Sequence, residues 1–329
     1  MRRWVLAIIL GFILLAGGAL GATVWLRSTL AQPGPLPVAK AIVVPRGGTE
    51  ALAHALAEAG IIDNTLLFRA AAWISRDRGP LRAAEFAFPA RASIDEVLSI
   101  LRTARPVEHK VTLAEGLTAV QMRAVLARAD ALTGKVPDFP DGSVLPETYS
   151  YEYGTSAAAI VARAQAAMDR ALNIAWTGRA PNLPLDNPRE ALILASIVER
   201  ETAKPAERPH IAAVYLNRLR EGMRLQADPT VVYAVSGGTG ILDRPLSKTD
   251  LARDNPFNTY RNAGLPPGPI CSPSVASLDA VLHPAASDDL YFVADGTGGH
   301  TFSRTLDTHE AAVARWRALA PRPAHGSPD

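Results

Sequence analysis

The sequence predicts an α+β protein: a single N-terminal transmembrane helix, a small β-α-α-β module, and a larger α+β domain. Three observations carry this. An apolar run opens the chain, short strands alternate with capped helices up to about residue 104, and from Val107 the texture changes to longer helices separated by aromatic and Gly/Pro-rich loops.

The apolar run, WVLAIILGFILLAGGALGATVWL from Trp4 to Leu26, has 23 residues without a charge. As a helix it would span about 34 Å, enough for a hydrocarbon core of roughly 30 Å. Arg2 and Arg3 precede it, which predicts residues 1–3 in the cytoplasm, an anchor over 4–26, and everything after it across the membrane. The competing reading is a cleaved signal peptide, because small residues lie around Ala16–Ala22. The run continues to Leu26, longer than a usual signal core, and this favours the anchor.

Residues 27–40 read as a linker, with AQPGPLPVAK (Ala31–Lys40) as a stiff Pro-rich spacer. The module expected over 41–104 starts with a strand at Ala41–Val44. Thr49 is read as the cap of a helix carrying Leu52 and Leu56, and Asn64 as the start of a second helix with Leu67, Phe68, Ala71 and Ile74. Ala84–Phe88 returns as a strand. Ser93-Ile94-Asp95-Glu96 is a capping box ahead of Val97, Leu98 and Leu101.

In the larger domain, expected over 105–325, residues 187–204 are the most informative. Asn187 caps, Pro188 stands at the first helical position, and Glu190 reaches back to the helix start. The interior is apolar on nearly all faces, the mark of a buried helix. Glu199 and Glu201 close it. Two residues apart is about 200° of rotation, so they point to opposite sides and cannot form a side-by-side acid/base pair. Glu201 lies over Leu194, Ile197 and Val198, the most apolar stripe, where lost hydration should raise its pKa toward that of a general acid. Beyond the next helix, Ile211–Arg220, the turn around Pro229 gathers Gln226, Asp228 and Thr230. NPFNTY adds Asn258 and Tyr260, and LPETYSY adds Tyr149. Amides, hydroxyls and aromatic rings among Gly and Pro suit sugar recognition.

Composition excludes several classes. Net charge is +2 with 20% charged residues, and no basic run follows the first three, so bulk-charge nucleic-acid binding is not expected. A single cysteine, Cys271, rules out an internal disulfide and a Cys-rich zinc site; within GLPPGPICSP it reads as structural. His210, His283, His300 and His309 are too scattered for a local metal motif, and His283 and His300 read as loop or rim residues. There is no G-x-S-x-G elbow, and nothing marks Lys204 for a Schiff base. No metal and no cofactor are expected.

Three long motifs stand in order: ASIVERETAKPAERPHIAAVYLNRLREGMRLQADPTVVYAV, NPFNTYRNAGLPPGPICSPSVASLDAVLHP and LYFVADGTGGHTFSRTLDTH. With them, essentially everything after the anchor resembles the YceG-like family of endolytic murein transglycosylases, also called MltG. The resemblance implies that the first module is LysM-like. It also implies that the catalytic residue is the Glu immediately before Thr in E-x-E-T, here Glu201, in agreement with the stripe argument. The family's Pro-Asp-Thr-Tyr-like segment reads Pro146-Glu147-Thr148-Tyr149, a departure that leaves the role of Glu147 open, as is that of Glu199.

The implied chemistry needs one carboxyl. Glu201 protonates the glycosidic oxygen between MurNAc and GlcNAc, then takes the proton of the muramoyl C6 hydroxyl as that oxygen closes onto C1. Asp228, Gln226 and Asn258 are candidates to hold the sugar and stabilise the charged transition state; Thr230, Tyr260 and Tyr149 complete the substrate-binding set. The implied partners are peptidoglycan glycan strands, the bacterial inner membrane, and penicillin-binding proteins or other glycan polymerases. The chain would be single-pass with its catalytic domain periplasmic. The alternatives are a non-catalytic glycan-binding scaffold and a muramidase-type hydrolase using the same Glu.

Overall fold

The computed structural model describes residues 2–319. The expected start of the cytoplasmic segment at residue 1 and the expected domain end at 325 lie outside them. Helix α1 runs Arg2–Leu30, and within it Ile9–Leu30 is long and apolar enough to cross a membrane.

The chain divides into two units. The first comprises Met1–His109 and Tyr151–Gly154. After α1 it holds β1 (Lys40–Val43), α2 (Thr49–Glu58), α3 (Thr65–Ile74), β2 (Glu85–Phe88) and α4 (Ile94–Thr103). This is the β-α-α-β-α order that the caps and periodicities predict. β1 and β2 pair antiparallel, with Ala41 opposite Ala87. The core beneath them is built from Leu52, Leu56, Phe68, Phe86, Phe88, Val97 and Leu101. Ser93 and Glu96 form the expected reciprocal capping box.

Two local expectations change. The cap of α2 is Gly48, and Thr49 is the first helical residue; Gly48 makes no side-chain bond. The Pro-rich stretch read as a stiff spacer packs against the module. α1 continues to Leu30, Leu36 is buried in the module core, and the Gly34 N–H and Leu36 carbonyl both bond to the backbone of Arg91. Asn64 does cap α3, accepting from the Leu67 N–H at 2.9 Å. Asn64→Ala is therefore expected to cost about 1 kcal/mol, read as a lower thermal midpoint.

The second unit comprises Lys110–Ser150 and Thr155–Asp329. β3 (Glu108–Thr112) and β4 (Thr148–Glu152) carry the chain between the units. The remaining elements are α5 (Ala119–Ala127), α6 (Ala157–Thr177), α7 (Pro188–Glu201), α8 (Arg208–Arg220), α9 (Asp228–Val235), α10 (Lys248–Leu251), α11 (Val275–Leu282), the hairpin β5 (Tyr291–Ala294) with β6 (His300–Ser303), and α12 (Leu306–Leu319). α7 is the hub, packing on α6, α8, α9 and α11. Its residues Ala191, Leu194, Ala195, Ile197 and Val198 are buried with Ile211, Tyr215 and Leu216 of α8 and Leu278, Val281 and Leu282 of α11.

Candidate active site

The burial of α7 fixes the direction of its last turn. Asn187 accepts from the Glu190 N–H, and Pro188 sits at the first helical position. At the other end Thr202 turns extended, its hydroxyl accepting from the Lys204 N–H, so the helix stops with Glu201 as its last residue. Glu199 and Glu201 leave this end on different sides, as the 200° rotation requires.

Glu199 is bonded within the fold. Its side chain accepts from Arg208 Nη2 at 3.0 Å and from the Ser274 N–H and hydroxyl at 2.8 and 2.5 Å, which ties α7 to α8 and to the start of α11. Glu201 faces a cleft of about 190 Å³. Its Oε1 accepts from the Tyr215 hydroxyl at 2.5 Å. Burial raises the Glu201 carboxyl to about 7; the nearby Asp228 charge adds to this, while the Tyr215 hydrogen bond and Arg218 oppose it. The Tyr215 hydroxyl is itself pushed well above its ordinary value, by burial first and by Glu201 second.

Arg218 forms the floor. It donates from Nε to the Leu290 carbonyl and from Nη1 to the Leu225 carbonyl, both at 2.6 Å, and its guanidinium lies 5.3 Å from the Tyr291 ring centre. One wall is the turn into α9. Gln226 lines the cleft with a left-handed backbone (φ 50°), and Asp228 follows, its Oδ1 accepting from the Tyr260 hydroxyl at 2.6 Å. The opposite wall is the hairpin, with Phe292, Val293, Ala294 and His300. His300 is oriented by Glu207: Nδ1–H donates to Oε2 at 2.8 Å and the backbone N–H to Oε1 at 3.2 Å. Burial would raise the Glu207 carboxyl, but the His300 bonds and Lys204 outweigh it and hold it below its ordinary value.

Of the residues expected from sequence, the cleft gathers Glu201, Gln226, Asp228 and Tyr260. Thr230, Asn258 and Tyr149 are not in its wall. Thr230 is fully buried, its hydroxyl bonded to the Ala227 carbonyl and to Thr259. Asn258 donates to the Leu251 and Arg253 carbonyls and accepts from the Tyr260 N–H, so it shapes the loop that presents Tyr260. The Tyr149 hydroxyl donates to the Leu145 carbonyl. In the structure these three side chains brace loops and core and do not line this cleft. Buried backbone carbonyls needed donors, and these side chains supply them or brace the same turns.

Sequence reasoning passed over Tyr215, Arg218 and Phe292. A signal was present for the first two, since Ile211, Tyr215 and Arg218 fall at i, i+4 and i+7 on α8. A larger groove of about 490 Å³ lies at the start of α7, but its carboxylate, Glu190, is engaged in the helix cap. Chemistry therefore selects the smaller cleft. Among the described residues no group of three or more His, Cys, Asp or Glu side chains is placed to hold a metal ion.

The model of the YceG-like family matches residues 42–315. The chain belongs to the YceG-like family. Relatives from Bacillus subtilis and Streptococcus pneumoniae carry the name endolytic murein transglycosylase. The one from Bacillus subtilis is 45% identical over 125 residues, covering 38% of this chain and 34% of the relative. The one from Streptococcus pneumoniae R6 is 28% identical over 353 aligned positions, covering 92% of this chain and 63% of the relative. The chain thus spans about a third and somewhat under two thirds of their lengths. A crystal structure of a YceG-like protein from Listeria monocytogenes superposes with a TM-score of 0.53 at 26% identity, over 83% of this chain and 98% of that one. In this YceG-like chain the E-x-E-T run is Glu199-Arg200-Glu201-Thr202, and its second glutamate is the one in the cleft.

Proposed function

We propose that this protein is a membrane-anchored endolytic lytic transglycosylase, cutting MurNAc-β-1,4-GlcNAc bonds within nascent peptidoglycan strands to leave 1,6-anhydro-MurNAc ends. The observation that carries the reading is a half-buried glutamate lining the cleft, bonded to the Tyr215 hydroxyl, its carboxyl raised by desolvation to about 7. Such a group is about half protonated at neutral pH, so it can give a proton in one step and take one in the next. The names of the YceG-like relatives support the substrate class.

In the first step Glu201 gives its proton to the glycosidic oxygen as the C1–O bond breaks, and the GlcNAc side leaves with a 4-hydroxyl. The Tyr215 hydroxyl and Arg218 stabilise the carboxylate that results. Positive charge developing at C1 is met by Asp228, with Gln226 and Tyr260 beside it to hold the sugar. In the second step the muramoyl C6 oxygen bonds to C1 and its proton returns to Glu201. No water enters, and the enzyme ends in its starting state.

The apolar N-terminal helix, read as an anchor, supports a position for this chemistry outside the cytoplasm, beside strands still being made. A glycan polymerase such as a penicillin-binding protein is the partner that placement suits, and the small module, read as LysM-like, would rest on glycan. A second reading has one observation in its favour: Asp228 is a further carboxylate in the same cleft, and two carboxylates are what a muramidase-type hydrolase uses.

Full-length protein incubated with purified peptidoglycan, followed by mass spectrometry of the fragments, separates the two. Internal fragments one water lighter than reducing ends, absent with Glu201→Gln, are expected. Reducing ends would replace the lyase by a hydrolase, and intact strands with glycan binding retained would leave a scaffold. The rate should also depend on pH in a defined direction. The protonated carboxyl starts the reaction, so kcat/KM is expected to fall as pH rises through about 7. Tyr215→Phe removes a bond that favours the carboxylate, and this alkaline limb is expected to move higher.

A further inference from the structure

Helix α3 has an apolar face that its own unit leaves uncovered. Its inner side supplies Phe68, Ala71 and Ala72 to the core. Its outer side carries Leu66, Ala70, Trp73 and Ile74, at i, i+4, i+7 and i+8, and Leu66 and Trp73 are 72% and 67% exposed. A surface helix of ten residues normally keeps polar groups on its outer side. Here Arg69 is the charged residue among them.

A second, independent observation brings the end of this helix beside α1. The last turns of α1 (Leu26, Arg27, Leu30) and the last turn of α3 (Ala71, Ile74) line one groove of about 470 Å³. α1 is the helix apolar enough to cross a bilayer, and this groove is at the end of that span. Trp25 is adjacent to Leu26 and Trp73 to Ile74, and both indoles are exposed. Two exposed tryptophans at the end of a membrane span sit where interfacial aromatics collect. The Arg76 guanidinium lies 4.4 Å over the Trp73 ring and donates to the Trp73 carbonyl. An apolar body with its charge turned aside is the form that long basic side chains take at a headgroup boundary.

We propose that α3 lies in the membrane interface, with Leu66, Trp73 and Ile74 entering the boundary between headgroups and acyl chains. The small module is then held on the bilayer at two places, by α1 through it and by α3 along it. The inference rests on the reading of α1 as an anchor. The contact is mainly apolar, because Arg69 faces Glu50, Arg78 faces Asp95 and Arg76 is stacked over Trp73.

The test uses the full-length protein in lipid vesicles. Cys271 is fully buried, so a thiol-reactive NBD fluorophore will report an introduced cysteine. Leu66→Cys and Trp73→Cys test the face, Leu20→Cys reports the α1 span, and Ala87→Cys, exposed on β2, is the aqueous reference. Nitroxide lipids labelled near the headgroup or deep in the chain serve as quenchers. Labels at 66 and 73 are expected to emit further to the blue than the label at 87 and to be quenched by the shallow nitroxide. This should hold equally in phosphatidylcholine and in vesicles containing phosphatidylglycerol. Emission at 66 and 73 matching that at 87 overturns the proposal. So does a blue shift that no nitroxide quenches and that grows with protein density, which would mean a second copy covers the face. Failure of the anchor reading is seen separately, as a label at 20 that the deep nitroxide does not quench.

Discussion

Glu201→Gln is expected to lower turnover by about 10⁴-fold while the protein stays folded and still binds glycan. General acid–base catalysis contributes about 10² to 10⁴ per step, and here one carboxyl serves both steps. Glutamine fills the same volume and can accept the Tyr215 hydrogen bond through its amide oxygen, so the cleft has no reason to rearrange. The variant also has a stability signature. The Glu201 carboxyl titrates at about 7 in the fold against an ordinary value of 4.5. Because the folded value is raised, the stability linked to the neutral form is fully present below about 4.5 and is lost as pH rises through about 7. At about 1.4 kcal/mol per pKa unit, the loss approaches ~3 kcal/mol in alkaline solution. The glutamine variant lacks this slope, so its advantage in denaturant midpoint over the parent should widen between about pH 5 and about pH 9.

Glu199→Ala is expected to do the reverse, costing about 3–5 kcal/mol of stability with little direct effect on chemistry. Removing this carboxylate strands Arg208, which is 8% exposed and whose Nε already has no hydrogen-bond partner. It also frees the Ser274 N–H at the start of α11. The remaining acidic neighbour, Glu115, is 3.9 Å from the guanidinium and half exposed, a weak substitute. Chemical denaturation gives the cost, and turnover per folded molecule, taken well below the midpoint, should stay near that of the parent. If activity fell in proportion to that of Glu201→Gln, the two glutamates would not divide fold from chemistry.

The opposite directions of the two glutamates are legible in the sequence because they depend on one helix, while the bonds that engage Glu199 are not. Asn187 and Pro188 set where α7 begins, and helical rotation then decides which glutamate lies on the apolar stripe. Ser93 and Asn64 were legible for the same reason, each cap being a contact three residues along. What the sequence hid lies farther apart. Tyr215 comes 14 residues after Glu201 on the next helix, and His300 comes 99 residues after Glu201 on a hairpin. Their approach is fixed by the packing of α7 on α8 and of α8 on the β5–β6 hairpin, which no local pattern encodes. Thr230 and Asn258 show the converse problem. A polar residue in a Pro- or Asn-rich turn reads the same whether it faces a ligand or satisfies a buried carbonyl, and burial alone separates the two. Leu36 misled in another way, because one leucine among prolines has no period to announce that it packs.

Arg218 donates to Leu225 on one side of the cleft and to Leu290 on the other, so a single guanidinium joins the turn into α9 to the root of the β5–β6 hairpin. A two-stranded ribbon is marginal on its own, and its opening is expected to be a low-energy excursion of the native state. Widening the cleft and loosening the hairpin are then the same event. Amide hydrogens of Phe292–Ala294 and His300–Ser303 should exchange together with those of Leu225–Ala227, and a glycan bound in the cleft should slow both sets by the same factor.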